Sequence, residues 1–180
     1  MNTIQNFKIS QVKENTLIVG VDIGSSIHYA RDFDWRGIEL GKVFKFSNSF
    51  DGFNNFLTWV RTISKNNNKD NTIIGVEPTA HYWFSLREFL HENSIQLVLV
   101  NPYHVKQTKE FDDNNQTKND AKNPSFITKL VIRGSYNISY IPPNLLCLFW
   151  YLRKEHNWNF KKIPLPEDIV SIGIDGIIAL

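Results

Sequence analysis

The feature that most constrains the fold is a run of apolar, mostly β-branched residues from Thr16 to Gly24. A run of this length and composition is typical of a strand buried inside a sheet. It stops at Gly24-Ser25-Ser26, a sequence that favours a turn. The run therefore predicts that a buried strand opens the domain, and it carries one charged residue, Asp22.

Strands and helices continue along the next ninety residues. The pattern predicts strands over Ile27–Asp34, Ile38–Phe46, Thr72–Val76 and Gln96–Val100, and helices from Ser49, from Pro78-Thr79 to about His91, and near Val105. The first three strands are joined by short connections, which favour antiparallel hairpins. The order predicts an α/β fold with a mixed sheet, an antiparallel meander followed by parallel strands, flanked by helices.

The composition changes beyond Phe111. A polar loop over Asp112–Thr117 precedes a predicted helix from Asn119 to Arg133, and Pro142-Pro143 then breaks the pattern. We therefore expect a polar N-terminal extension over residues 1–15, one domain over residues 16–140, and a divergent tail over residues 141–180.

Composition excludes several classes of protein. The chain has 180 residues, a net charge of +2 and a single cysteine, Cys147, which leaves no disulfide framework and no multi-cysteine zinc site. The first fifteen residues lack the apolar stretch of a signal peptide. The longest apolar run, Leu145–Leu152, is far shorter than the roughly 20 residues that span a bilayer. These features predict a cytoplasmic protein that does not bind membranes.

Two buried strands each end in a carboxylate, Asp22 in the first and Glu77 after Ile73–Val76. Ligands bind at the carboxyl ends of strands in open α/β sheets, so these acids predict a shared site. The structural alternatives are that Asp22 caps the turn at Ser25 and Ser26 and that Glu77 caps a helix. For the second role Thr79 is the better residue.

A third acid, Asp120, begins the predicted helix after the polar loop, and Asn123 follows one turn later on the same face. An acid in a first helical turn also interacts favourably with the helix dipole, which is the structural alternative. Converging carboxylates suit phosphodiester chemistry, in which two Mg²⁺ ions about 3.5–4 Å apart neutralise charge and activate a nucleophile. The five histidines are scattered and form no metal-binding pattern.

Four motifs together resemble the N-terminal domain of IS110-family transposases, and the resemblance covers about Leu17 to Tyr140. They are Val21-Asp22-Ile23-Gly24, Val76-Glu77-Pro78-Thr79-Ala80-His81-Tyr82-Trp83, Val100-Asn101-Pro102 and Thr117-Lys118-Asn119-Asp120. The resemblance implies a RuvC-like, RNase H-type fold and a DNA recombinase that moves an insertion sequence. It also implies an Asp-Glu-Asp-Asp site for Mg²⁺ or Mn²⁺, with DNA and a structured guide RNA as partners and a homo-oligomeric state.

The chain departs from the family pattern at two points. Asp22, Glu77 and Asp120 match the first three acids, but Asn123 stands where the fourth acid is expected, so metal affinity should fall. Pro124 directly after it is tolerated only in the first turn of a helix. The family continues into a C-terminal domain with a serine nucleophile, which is absent here. We therefore expect a truncated copy with a weakened metal site, and an inactive fragment is the alternative.

Basic residues near the acids are candidates for contacts with nucleic acid, although a solvated helix face has the same composition. The candidates are Lys106, Lys109, Lys118 and Lys122. Three other functions compete with the transposase. They are a RuvC-like junction nuclease outside transposition, an actin-like ATPase or sugar kinase suggested by Asp22-Ile23-Gly24-Ser25, and a non-catalytic relic that binds nucleic acid.

Overall fold

A six-stranded mixed sheet lies at the centre of the chain, with the strand order β3-β2-β1-β4-β5-β6. The computed structural model describes residues 3–80, 82–112 and 123–139. In these ranges the strands are β1 (Thr16–Asp22), β2 (Ile27–Phe33), β3 (Phe44–Ser47), β4 (Asn71–Val76), β5 (Gln96–Val100) and β6 (Tyr136–Ile138). The helices are α1 (Thr3–Ser10), α2 (Phe50–Asn66), α3 (Trp83–Glu92), α4 (Pro102–Asp112) and α5 (Asn123–Ile132).

The directions of the strands match the order of their connections. β1, β2 and β3 form an antiparallel meander, because short segments join them. β4 and β5 lie parallel to β1, and each is reached through a helix. The predicted architecture is confirmed: the chain has a mixed sheet, an antiparallel meander followed by parallel strands, flanked by helices.

The two faces of the sheet are covered by different helices. Alternate residues of β1 point to opposite faces, so Leu17, Val19 and Val21 pack with α2 and α3, whereas Ile18 packs with α4 and α5. The buried residues of α2 and α3 include Phe56, Leu86 and Leu90. None of the helices in the described ranges is long and apolar enough to cross a membrane.

Two predicted boundaries are wrong. The strand predicted over Ile38–Phe46 is confined to Phe44–Ser47, because the residues before it form an exposed segment with a single bridge, Phe33 to Glu39. The helix predicted from Pro78-Thr79 begins at Trp83, and Thr79 does not cap it. Ala80 has a φ of 46°, which a right-handed helix cannot contain, so the chain turns before the helix begins.

Two short elements at the edge of the sheet have no counterpart among the sequence predictions. α1 lies in the segment expected to be a polar extension, and β6 has three residues that pair with β5. The two elements are in contact. The side chain of Gln5 donates to the carbonyl of Arg133, Lys8 donates to the carbonyl of Tyr136, and the Tyr136 hydroxyl donates back to the Lys8 carbonyl.

Candidate functional site

Asp22 and Glu77 occupy equivalent positions at the ends of neighbouring parallel strands. Asp22 is the last residue of β1, and Glu77 follows the last residue of β4. Because Val21 pairs with Val76, the next position along each strand brings the two acids to the same edge of the sheet. Both side chains are half-buried. The predicted convergence of these two acids is therefore visible in the register of the sheet.

The charges of Asp22 and Lys109 both act on the Glu77 carboxyl. Burial raises the pKa of the Glu77 carboxyl, and the negative charge of Asp22 raises it further, while the ammonium of Lys109 lowers it. Lys109 comes from α4 and is half-buried, whereas Lys106 on the same helix is exposed and lies 4.0 Å from the Glu110 carboxylate. Of the two predicted basic contacts that the structure describes, Lys109 acts on the Glu77 carboxyl, whereas Lys106 is exposed.

The N-terminus of α5 reaches this site because β1 lacks a side chain at Gly20. A Cβ atom on Gly20 would lie 2.0 Å from the carbonyl oxygen of Pro124 and 2.6 Å from Oγ1 of Thr128. Glycine inside a buried strand marks this kind of close approach. Gly20 and Asp22 lie on the same face of β1, so α5, which contacts Gly20, also passes over Asp22. Gly20 was missed as a site residue, although its place in a buried strand was the available signal.

Asn123 completes the described part of the site through a direct contact. Its side-chain Nδ2 donates a hydrogen bond of 2.8 Å to Oδ2 of Asp22. A carboxylate oxygen can only accept, so the atom of Asn123 that faces it is the amide nitrogen. Pro124 is the second residue of α5, which meets the condition that it fall in the first turn.

His28 supports the turn that follows Asp22, and it too was missed. The ring is fully buried against Phe46 and Phe53, and its Nδ1 accepts from the backbone N–H of Gly24. Burial lowers the pKa of His28 to about 4, against a smaller opposing effect of Asn48. The imidazole is therefore neutral at pH 7 and acts as an acceptor that fixes the turn.

The remaining predicted residues, Asp120, Lys118 and Lys122, lie outside the described residues. Within residues 3–80, 82–112 and 123–139, no group of three or more His, Cys, Asp or Glu side chains is arranged to hold a metal ion. What the described site contains is a pair of carboxylates with an amide and an ammonium beside them. Carboxylate oxygens are the hard donors that Mg²⁺ and Mn²⁺ take, so this donor set fits such an ion.

Comparison with known proteins adds a family and a set of similar structures. A family model described as a transposase, of the IS110 DEDD type, matches residues 19–148. No curated protein matches the sequence.

Similar solved structures include two of RuvC and one of a glucokinase. Thermus thermophilus RuvC in complex with a Holliday junction substrate has 8% identity and a TM-score of 0.45, covering 69% of this chain and 99% of that one. A second Thermus thermophilus RuvC structure has 8% identity and a TM-score of 0.41, covering 68% and 99%. A ROK-family glucokinase from Streptomyces griseus has 20% identity and a TM-score of 0.36, covering 53% and 36%.

Proposed function

The chain belongs to the IS110 DEDD family of transposases, and from this we propose that it carries the metal-dependent, DNA-cleaving site of an insertion-sequence transposase. The observation that carries the proposal is the convergence of Asp22 and Glu77 from neighbouring parallel strands, where burial and, to a smaller degree, the charge of Asp22 raise the pKa of Glu77. Two like charges in a half-buried site repel each other, and a bound cation offsets that cost.

In this proposal Asp22, Glu77 and Asp120 hold Mg²⁺ or Mn²⁺, and Asn123 stands at the position of the family's fourth acid. The metal would supply charge neutralisation at the phosphodiester and a more acidic water or hydroxyl. The carboxylates would orient the reacting groups, and Lys109, whose charge acts on Glu77, would contact a phosphate oxygen of the DNA. Lys106, Lys118 and Lys122 extend the contact to the DNA backbone. The family further suggests a guide RNA partner, a homo-oligomer and a cytoplasmic location.

Binding of Mn²⁺ tests the proposal, measured by calorimetry on the full chain. We expect Asp22→Asn to lower the affinity more than about tenfold, because it removes a charged ligand. Asp51→Asn is the matched control, since Asp51 is an exposed acid in the first turn of α2, and it should leave the affinity unchanged. Cleavage of branched DNA that requires Mn²⁺ and is lost in Asp22→Asn would complete the case.

A second function is favoured by the hydrogen bond between Asn123 and Asp22, because this bond satisfies the acid without a metal. The chain would then be a relic that binds nucleic acid without cleaving it. The same titration separates the two proposals. A folded chain that binds DNA but takes up no Mn²⁺, with or without Asp22, would reject the metal-dependent nuclease and leave the relic.

A further inference from the structure

The side chain at position 123 determines what Asp22 faces when the site holds no metal. A carboxylate there would place a second negative charge beside Asp22, and a bound cation or a shared proton would be needed to relieve the repulsion. The amide of Asn123 instead presents an N–H donor and closes a 2.8 Å hydrogen bond to Oδ2 of Asp22. Hydrogen bonds to a charged acceptor are among the stronger ones in proteins.

We propose that Asn123 is a positioning residue that competes with the metal. Its amide N–H occupies the Asp22 oxygen that a cation would take, so a cation must displace Asn123 and is not bound by it. This inference rests on the proposed metal site, in which Asn123 holds the Asp22 carboxylate in place while no metal is bound.

The backbone keeps Asn123 in place. α5 contacts β1 through Pro124 and Thr128 at Gly20, where a side chain would leave no room, so the helix start is fixed over the strand end. Asn123 can release Asp22 by rotating its side chain, but the helix itself cannot withdraw without losing its buried face. At the neighbouring acid, the positive charge of Lys109 lowers the pKa of the Glu77 carboxyl, against the larger effect of burial.

The sign of a single substitution tests the inference. If Asn123 competes with the metal, Asn123→Ala removes its hydrogen bond to Asp22 and tightens Mn²⁺ binding about tenfold, the factor that corresponds to losing one charged hydrogen bond. If Asn123 is instead a ligand, the same change weakens binding. Asn123→Asp adds charge and removes the donor, so it should bind Mn²⁺ more tightly than Asn123→Ala. The exposed Asn55 on α2 is the matched control, and Asn55→Ala should leave the affinity unchanged.

Thermal unfolding in EDTA supplies the second measurement. Asn123→Ala should lower the Tm by roughly 3 °C or more, and Asn123→Asp should lower it further, because like charges then meet at Asp22. Mn²⁺ should restore the Tm of Asn123→Asp and change that of the unaltered chain much less.

The two proposals fail in different ways. Metal binding that Asn123→Ala weakens or leaves unchanged overturns the competition while the metal site stands. If no variant binds metal, Asn123→Asp included, the metal site itself is rejected, and the competition with it.

Discussion

At the scale of single residues, two acids on one hairpin show how hydrogen-bond partners determine the pKa of a buried carboxyl group. Asp32 is fully buried, and neither of its carboxylate oxygens has a hydrogen-bond partner. Asp34 is also buried, but it accepts from the backbone of Arg36 and Ile38 and pairs with the Arg36 guanidinium at 2.7 Å. The chain therefore holds one satisfied and one unsatisfied carboxylate two residues apart.

The pKa values follow these environments. Burial, with a smaller contribution from the charge of Glu39, raises the pKa of Asp32 from 3.8 to about 6, against the opposing effects of its own backbone N–H dipole and of the Arg31 charge. For Asp34 burial also opposes the charge, but the hydrogen bonds from Ile38 and Arg36 outweigh it and lower the pKa. The unfolded chain thus loses the Asp32 proton at a lower pH than the folded chain. The raised pKa of Asp32 therefore stabilises the folded chain fully below about pH 4, and this stabilisation is lost as the pH rises to about 6.

Asp32→Asn should therefore stabilise the protein at pH 8 by about 2 kcal/mol and give no such gain at pH 3.5. Urea unfolding at the two pH values measures the difference. His28 contributes in the opposite direction, because its lowered pKa costs stability as the pH falls below about 6.5, but it does so equally in both proteins and cancels.

Asp34→Asn is the control for Asp32→Asn. It removes the charge that Arg36 and two backbone N–H groups surround, and it should cost about 1–3 kcal/mol at pH 8. A loss of stability in Asp32→Asn at pH 8 would show that its carboxylate has a partner in solution and would contradict the account of this hairpin.

At the scale of elements, the contact between α5 and the sheet depends on two glycines that face each other. Gly20 of β1 pairs with Gly75 of β4, and α5 crosses both. A Cβ on Gly75 would lie 2.6 Å from Cγ2 of Val131 and 3.1 Å from Cγ2 of Ile127, both of which are side-chain atoms. A Cβ on Gly20 would meet backbone, which cannot be shortened by substitution.

This difference predicts at which glycine a second substitution can offset the destabilisation caused by alanine. Gly75→Ala should cost about 1–3 kcal/mol through overpacking, and in the double variant with Val131→Ala the costs should fall short of additive by about 1 kcal/mol. Gly20→Ala with Thr128→Ala should show no comparable rescue, because the carbonyl of Pro124 still blocks the new methyl group. Denaturant unfolding of the two double-mutant cycles measures the coupling. Equal coupling in both would refute the backbone contact at Gly20.

The same elements show how much of the fold the sequence could predict. β1, β4 and β5 are apolar runs buried on both faces, and the predicted bounds agree with the observed ones to within two residues. β6 is only three residues long and pairs through backbone atoms with β5, so its side chains carry little pattern. α1 has no buried residue, and it forms through contacts with the chain near Tyr136, which no local pattern indicates.

For the site, the sequence supplied the acids but not their surroundings. Asp22 and Glu77 stand out because a charge at the end of an apolar strand is costly without a partner. The contact from Asn123 to Asp22 joins residues 101 positions apart and depends on the close approach at Gly20. The proximity of Lys109 to Glu77 depends on the path of α4, which was predicted only as a short helix near Val105. Distances of this kind arise from packing and have no local signature.

At the scale of the whole molecule, the residues up to Ser139 contain two hydrophobic clusters, one on each face of the sheet. The central strand β1 pairs with β4, and the first pair in the register is Thr16 with Asn71, so the sheet joins distant parts of the chain. α1 and β6 then contact each other, with the Tyr136 hydroxyl 3.2 Å from the Lys8 carbonyl. The first helix and the last strand of this unit are therefore in contact.

We therefore expect a fragment of residues 1–139 to fold cooperatively, because it retains both clusters and all six strands that the structure describes. A fragment of residues 1–122 should not, since it lacks α5, whose buried side chains cover Ile18 and Ile73, and it also lacks β6. The loss of several fully buried residues exceeds the total stability of an ordinary domain. Near-UV circular dichroism during thermal unfolding distinguishes a cooperative transition from a gradual one. A gradual transition in the 1–139 fragment would show that the two clusters need the remaining residues to form a stable core.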